Sequence, residues 1–117
     1  MPNYRVSRAA VRRARALIDD GAYDDSTDWS DAAPDADAEN DYIDQHGYDG
    51  FAEWHLAEDP DASKDSKRRY AFPYGDLRVV NRQALIHAKQ RASQNDHSEV
   101  ERAADDLLQR LDAKRSD

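Results

Sequence analysis

The chain is 117 residues long, 38% apolar and 36% charged, with 25 acids against 17 bases and a formal charge of −8. That length suits one domain with a modest core and excludes two independent ones. There is no cysteine, which excludes a disulfide framework, a thiolate nucleophile and a cysteine-ligated zinc, and no apolar run is long enough to span a bilayer.

The kind of charge says more than its amount. The acids are 20 Asp and 5 Glu, and the bases are 13 Arg and 4 Lys. Asp is a poor helix former, so it is an unexpected choice for merely keeping a helical protein in solution. Asp over Glu, Arg over Lys and absent cysteine suit a salt-rich, halophilic cytoplasm. At 1 M salt the Debye length falls to about 3 Å and dense like charge repels weakly. The basic N-terminal segment lacks the continuous apolar stretch of a secretory signal, so the expected location is cytoplasmic. Charge is also segregated: residues 1–18 carry +5, 19–66 carry −16, 67–91 carry +6 and 92–117 carry −3. The basic segments either fold against the acidic one or face an anionic partner.

In chain order, the first helix is announced by Ser7 as N-cap, with Val6 and Val11 at the spacing of a hydrophobic staple. Ala10, Val11, Ala14, Leu17 and Ile18 recur at helical spacing, Gly21 supplies the stop, and Arg8, Arg12 and Arg15 line another face. The stretch 22–41 is of low complexity, and its part at about 22–33 reads as an acidic loop that Trp29 pins. A second helix is expected from Asp31 or Pro34 to Gly47, carrying Tyr42 and Ile43 inward, and a short third one from Asp49 through Phe51, Trp54, His55 and Leu56. Pro60 stops it, and Asp61 or Ser63 is placed to cap a brief successor.

Residues 67–78 combine three bases with Tyr70, Phe72 and Tyr74 around Pro73, which rules out a helix interior. An extended segment would set the three rings on one face, and Gly75-Asp76 turns it toward a second short extended piece at Leu77 to Val80. Asn81 then caps a helix to about Gln94 that carries Leu85, Ala88 and Ala92 on one stripe. The last helix opens on a Ser98/Glu101 capping box and follows the i, i+3, i+4, i+7 pattern through Val100, Ala103, Ala104, Leu107, Leu108 and Leu111. The fold class is thus mainly α: one domain over 1–117 of about five helices, with an extended element near 70–80 and a C-terminal helical hairpin. Its core is expected to hold Val11, Leu17, Ile18, Tyr42, Phe51, Trp54, Leu56, Phe72, Leu85, Val100, Ala104, Leu107, Leu108 and Leu111.

Trp54-His55-Leu56, the run KRRYAFPYGDLR at 67–78 and the tail DDLLQRLD at 105–112 resemble a family of small, uncharacterised actinobacterial and haloarchaeal proteins that carry a KxRYxFxYGD[FL]R motif. The opening YRVSRAAV and the WSDAAPDADAEN segment extend the resemblance over nearly the whole chain. It implies no activity, cofactor or catalytic residue.

Chemistry is sparsely signalled. The four histidines, His46, His55, His87 and His97, show no metal-ligand spacing, and an assembly of His55 and His87 with an Asp such as Asp76 would have to come from the fold. There is no glycine-rich phosphate loop and no nucleophile with an identifiable base. No enzyme, metal or cofactor is therefore expected. The candidate partner surface comprises Arg8, Arg12, Arg15, Arg68, Arg69, Tyr70, Tyr74, Arg78, Arg82 and Arg91. The leading expectation is a non-enzymatic protein-interaction or regulatory module, with a protein partner or a second copy in a homodimer. The alternative is a nucleic-acid-associated protein that stacks bases on the aromatics of 67–91. Molar salt weighs against it, because counterion release then drives phosphate binding poorly.

Overall fold

The computed structural model describes residues 3–116. The Ser7 side chain accepts the Ala10 N–H at 3.2 Å and opens helix α1, Arg8–Asp19. Gly21, at φ 79°, closes it: Gly21 N–H donates to Ile18 O and Ala22 N–H to Leu17 O, which satisfies two of the helix's last carbonyls. Ahead of α1 lies strand β1, Arg5–Val6, and beyond the turn lies β2, Tyr23–Asp24.

The acidic stretch holds more regular structure than its composition suggests. Trp29–Ala32 forms a single helical turn, α2, and α3 then runs Ala36–Ala52 from an Asp35 cap that accepts Ala38 N–H at 2.8 Å. The expected start at Asp31 or Pro34 is thereby corrected to Asp35. Gly47 breaks the helical path of α3 with φ 72° and ψ 175°, so the anticipated stop is a kink and the helix resumes.

His55 and Leu56 are not helical. They lie in β3, His55–Glu58, the centre of a three-stranded antiparallel sheet with β1 on one side and β4, Tyr70–Pro73, on the other. Val6 faces Ala57, and His55 faces Pro73. Pro73 is tolerated because β4 is an edge strand. A 3₁₀ turn at Lys67–Arg69 leads into β4, capped by Ser66 in place of Asp61 or Ser63.

The expected partner of β4 also differs. Residues 77–79 form a turn, and β5, Val80–Asn81, pairs in parallel with β2, leaving only a Gly75↔Val80 bridge to the segment after β4. Phe72 takes φ 63°, so the three rings do not share one face of a regular strand: Tyr74 is fully buried, while Tyr70 and Phe72 are half-buried.

Asn81 caps α4, Arg82–Gln94, by accepting Ala84 N–H at 2.9 Å. Helix α5 spans Ser98–Arg115, but its N-cap is His97, which makes no side-chain capping bond. The Ser98/Glu101 capping box is therefore not formed, since Ser98 already lies inside the helix. Ala10, Ala14 and Ile18 of α1 and Leu85, Ala88 and Ala92 of α4 share a buried cluster with Val100, Ala104, Leu107 and Leu111 of α5. Alanines at these contacts permit close helix approach. Trp54, Leu56, Tyr74 and Val80 complete the centre, whereas Val11, Leu17, Tyr42, Phe72 and Leu108 pack only at its edge. Among the described residues, no helix is long and apolar enough to cross a membrane.

Candidate functional site

Positions 8, 12 and 15 fall on one face of α1 because they stand i, i+4, i+7 apart. Facing them on α5 are Glu99, Arg102, Ala103, Asp106, Leu107 and Arg110, spaced by the same rule. Between the two helices runs an open groove of about 820 Å³ whose apolar lining is Val6, Val11, Ala103 and Leu107. Arg8, Arg12, Arg15 and Arg102 border it, and all four are exposed.

Arg110, at the end of this row, is already neutralised. Its guanidinium grips Asp19 through two 2.7 Å bonds and holds that carboxyl below the usual carboxylate range. The other four arginines of the groove have no carboxylate within 4.0 Å among the described residues. Arg102 was not a candidate from sequence, although its position four residues before Asp106 and eight before Arg110 sets it on that same stripe.

The nucleic-acid alternative needs the two basic segments on one surface, and the fold disperses them. Arg69 is buried: Nε lies 3.2 Å from Glu58, and Nη1 donates to Ala62 O at 2.7 Å and Pro60 O at 3.3 Å. Tyr74 is buried too, its ring stacked 5.2 Å from Trp54 and its hydroxyl donating to Glu53 O at 2.8 Å. Burial drives the Tyr74 phenol well above its ordinary range. Tyr70 leans on Phe51 and His55 and donates to Lys64 O at 2.8 Å. Arg82 makes a two-point pair with Asp112, at 2.8 and 3.1 Å. Arg68 and Arg78 are exposed on separate turns. Arg5 pairs with Glu58, Lys67 with Glu39, and Arg13 lies 5.8 Å over the Trp54 ring. Residues 67–91 therefore present no continuous surface of bases and tyrosines.

Arg91 belongs to a second cleft, of about 450 Å³, between β4 and α4. Tyr4, Trp29, Phe72 and His97 supply its rings, and His87 lies beside Arg91 on its helical wall. Tyr4 meets Phe72 edge-on at 5.5 Å and His97 at 5.3 Å. Trp29 is held in the lining through its main-chain N–H, which donates to Gln83 Oε1. This cleft escaped the sequence reading because its walls come from positions 4, 29, 72, 87, 91 and 97, which no local pattern links.

The histidines and Asp76 do not converge. His55 is buried beside Phe51, its Nδ1–H donating to Phe51 O at 2.9 Å, and burial lowers its pKa from 6.5 to about 4. His46 rests on Tyr42, and Asp76 Oδ1 accepts the Arg78 and Val79 N–H groups in its own turn. Among the described residues no group of three or more potential metal ligands is assembled. Comparison with protein-family models, with curated proteins and with solved structures finds no match for this chain.

Proposed function

We propose that the protein is a non-enzymatic interaction module of a salt-rich cytoplasm, docking an acidic, amphipathic helical segment of a partner protein in the groove between α1 and α5. One observation carries this reading. Five bases elsewhere are paired with acids of the 19–66 segment: Arg5, Lys67, Arg69, Arg110 and Arg115. Arg8, Arg12 and Arg15 are not, and with Arg102 they flank an apolar floor and outnumber the Glu99 and Asp106 carboxylates that also line it.

A helix with carboxylates beside an apolar stripe complements that arrangement. In strong salt the exposed charges contribute little, so the part-exposed Val6, Val11 and Ala103 carry the affinity and the arginines fix orientation. The α4–α5 pair acts in this reading as a rigid helical hairpin behind the groove. Arg82 to Asp112 and Lys89 to Asp105, each at 2.8 Å, support that role.

The burial of Tyr74 and Arg69 favours a protein ligand over a nucleic acid, because the stacking surface required by the second is dispersed. The test titrates the full chain at high salt with a synthetic helical peptide bearing Glu on two flanks of a Leu stripe, read by amide chemical shifts. Saturable shifts at Val6, Arg12, Arg102 and Ala103 are expected, with loss of binding in the triple variant Arg8→Glu, Arg12→Glu, Arg15→Glu. Single-stranded RNA or DNA giving the stronger shifts at those positions would overturn the reading in favour of nucleic acid. Concentration-dependent self-association through them would overturn it in favour of a homodimer.

A further inference from the structure

We propose that the cleft between β4 and α4 binds a small planar aromatic carboxylate, its ring among Tyr4, Phe72 and His97 and its acid group on Arg91. This inference is independent of the α1/α5 groove. The cleft volume of about 450 Å³ lies within the range of pockets that enclose small molecules.

The charge of the lining is the first argument. The chain has 25 acids, yet no Asp or Glu lines this cleft, and its one permanent charge is the exposed Arg91. No carboxylate lies within 4.0 Å of that guanidinium among the described residues. A single guanidinium presents a two-point fork matched to one carboxylate.

The rings are the second argument. Tyr4, Phe72 and His97 meet edge to face at 5.3 to 6.0 Å, a geometry that leaves ring faces and edges for a fourth aromatic group.

A third, separate argument is that local stability is given up here. A positive φ at an aromatic residue is unfavourable, and such residues cluster at ligand sites; Phe72 has φ 63°. An N-cap position favours Ser, Asp or Asn, which bond the helix's free N–H groups; at α5 it holds His97, which makes no such bond and packs into the cleft instead. Two unfavourable local choices meeting on one cavity are expected where a site, not packing, dictates the residues.

The experiment titrates the full chain with indole-3-acetate, indole-3-acetamide and acetate up to about 10 mM, a range that captures millimolar binding, while amide chemical shifts are recorded. Indole-3-acetate is expected to give saturable shifts centred on Tyr4, Phe72, Arg91 and His97, with the amide at least about tenfold weaker. Arg91→Gln, on an exposed side chain, should weaken the acid about tenfold and leave the amide unchanged. Phe72→Leu, which keeps an apolar group in place, should abolish saturation. Equal binding of acid and amide would overturn the proposal. So would acetate reproducing the shifts, a response centred on Arg8, Arg12 and Arg15, or no saturation by indole-3-acetate.

Discussion

Arg69 reaches Glu58 with Nε 3.2 Å from Oε2 while only 6% of its own side chain meets solvent. Arg5 takes the other oxygen of Glu58 at 3.1 Å, so one carboxylate of β3 ties β1 to the 3₁₀ turn that leads into β4. Arg69 also ties the 60–62 turn through two carbonyls. A lysine cannot make all these bonds, because it is a point charge on a flexible stem. Arg69→Lys is expected to destabilise the fold by about 2–3 kcal/mol, the cost of leaving buried acceptors unpaired. Urea titration measures it, with Arg68→Lys on the exposed neighbour as control at under about 0.5 kcal/mol. Equal midpoints for the two variants would contradict the assignment.

Gly75 leaves no room for a side chain. A Cβ there would collide with the Val79 carbonyl oxygen and lie 2.8 Å from the Trp54 ring. Gly75→Ala should therefore cost about 3 kcal/mol or more, since neither the turn backbone nor the buried indole can retreat. At Gly47 a Cβ meets nothing within 4 Å and only the backbone, at φ 72° and ψ 175°, resists it, so Gly47→Ala should cost about 1–3 kcal/mol. Thermal melts of the two variants give the ranking directly.

Acid weakens the protein through His55, whose pKa falls from 6.5 to about 4 because burial disfavours the imidazolium. Above pH 6.5 the ring is neutral whether folded or unfolded, and the full stability is present. Between pH 6.5 and about 4 the unfolded chain takes up a proton that the folded chain refuses, so stability falls as the pH drops. The loss is about 1.4 kcal/mol per pH unit and about 3 kcal/mol in all. Below that window His55 contributes no further loss. Denaturation midpoints of the wild type and His55→Phe between pH 7 and 4 test this, and parallel curves would exclude His55 as the cause.

The caps were readable because each is set by a few adjacent residues. Ser7 before an apolar periodicity, Asn81 after Val80 and Gly21 after Ile18 behave as local chemistry dictates. The stripe Val100, Ala104, Leu107 and Leu111 needed no tertiary information either. His55 to Glu58 misled for the opposite reason: four residues following a helix take their strand geometry only from β1 and β4, which lie far away in sequence. The pairing of Tyr23 with Val80 is two residues long and leaves no pattern to find. At the candidate sites, the arginine row of α1 was legible from helical spacing, whereas the burial of Tyr74 and Arg69 depends on Trp54 and Glu58 arriving from elsewhere.

Helix α4 ends in a tight closure that places a non-glycine residue in left-handed geometry. Asp96 has φ 59°, with its N–H donating to Ser93 O and that of His97 to Ala92 O. Glycine adopts this conformation without a Cβ penalty. Asp96→Gly should raise stability by about 0.5 kcal/mol, offset in part by the freedom glycine adds to the unfolded chain. A small rise in the urea midpoint with an unchanged slope is the expected signature.

Helix α1 buries Ala10, Ala14 and Ile18 in the cluster to which α5 contributes Leu107 and Leu111, and β2 pairs with β5. During synthesis α1 and β2 therefore emerge before the elements they pack upon. Growth at about 5–20 residues per second separates them from their partners by several seconds. Helix α1 consequently finds its full set of partners only once α5 has been made, and a product shortened before α5 would leave that helix open to chaperones and proteases.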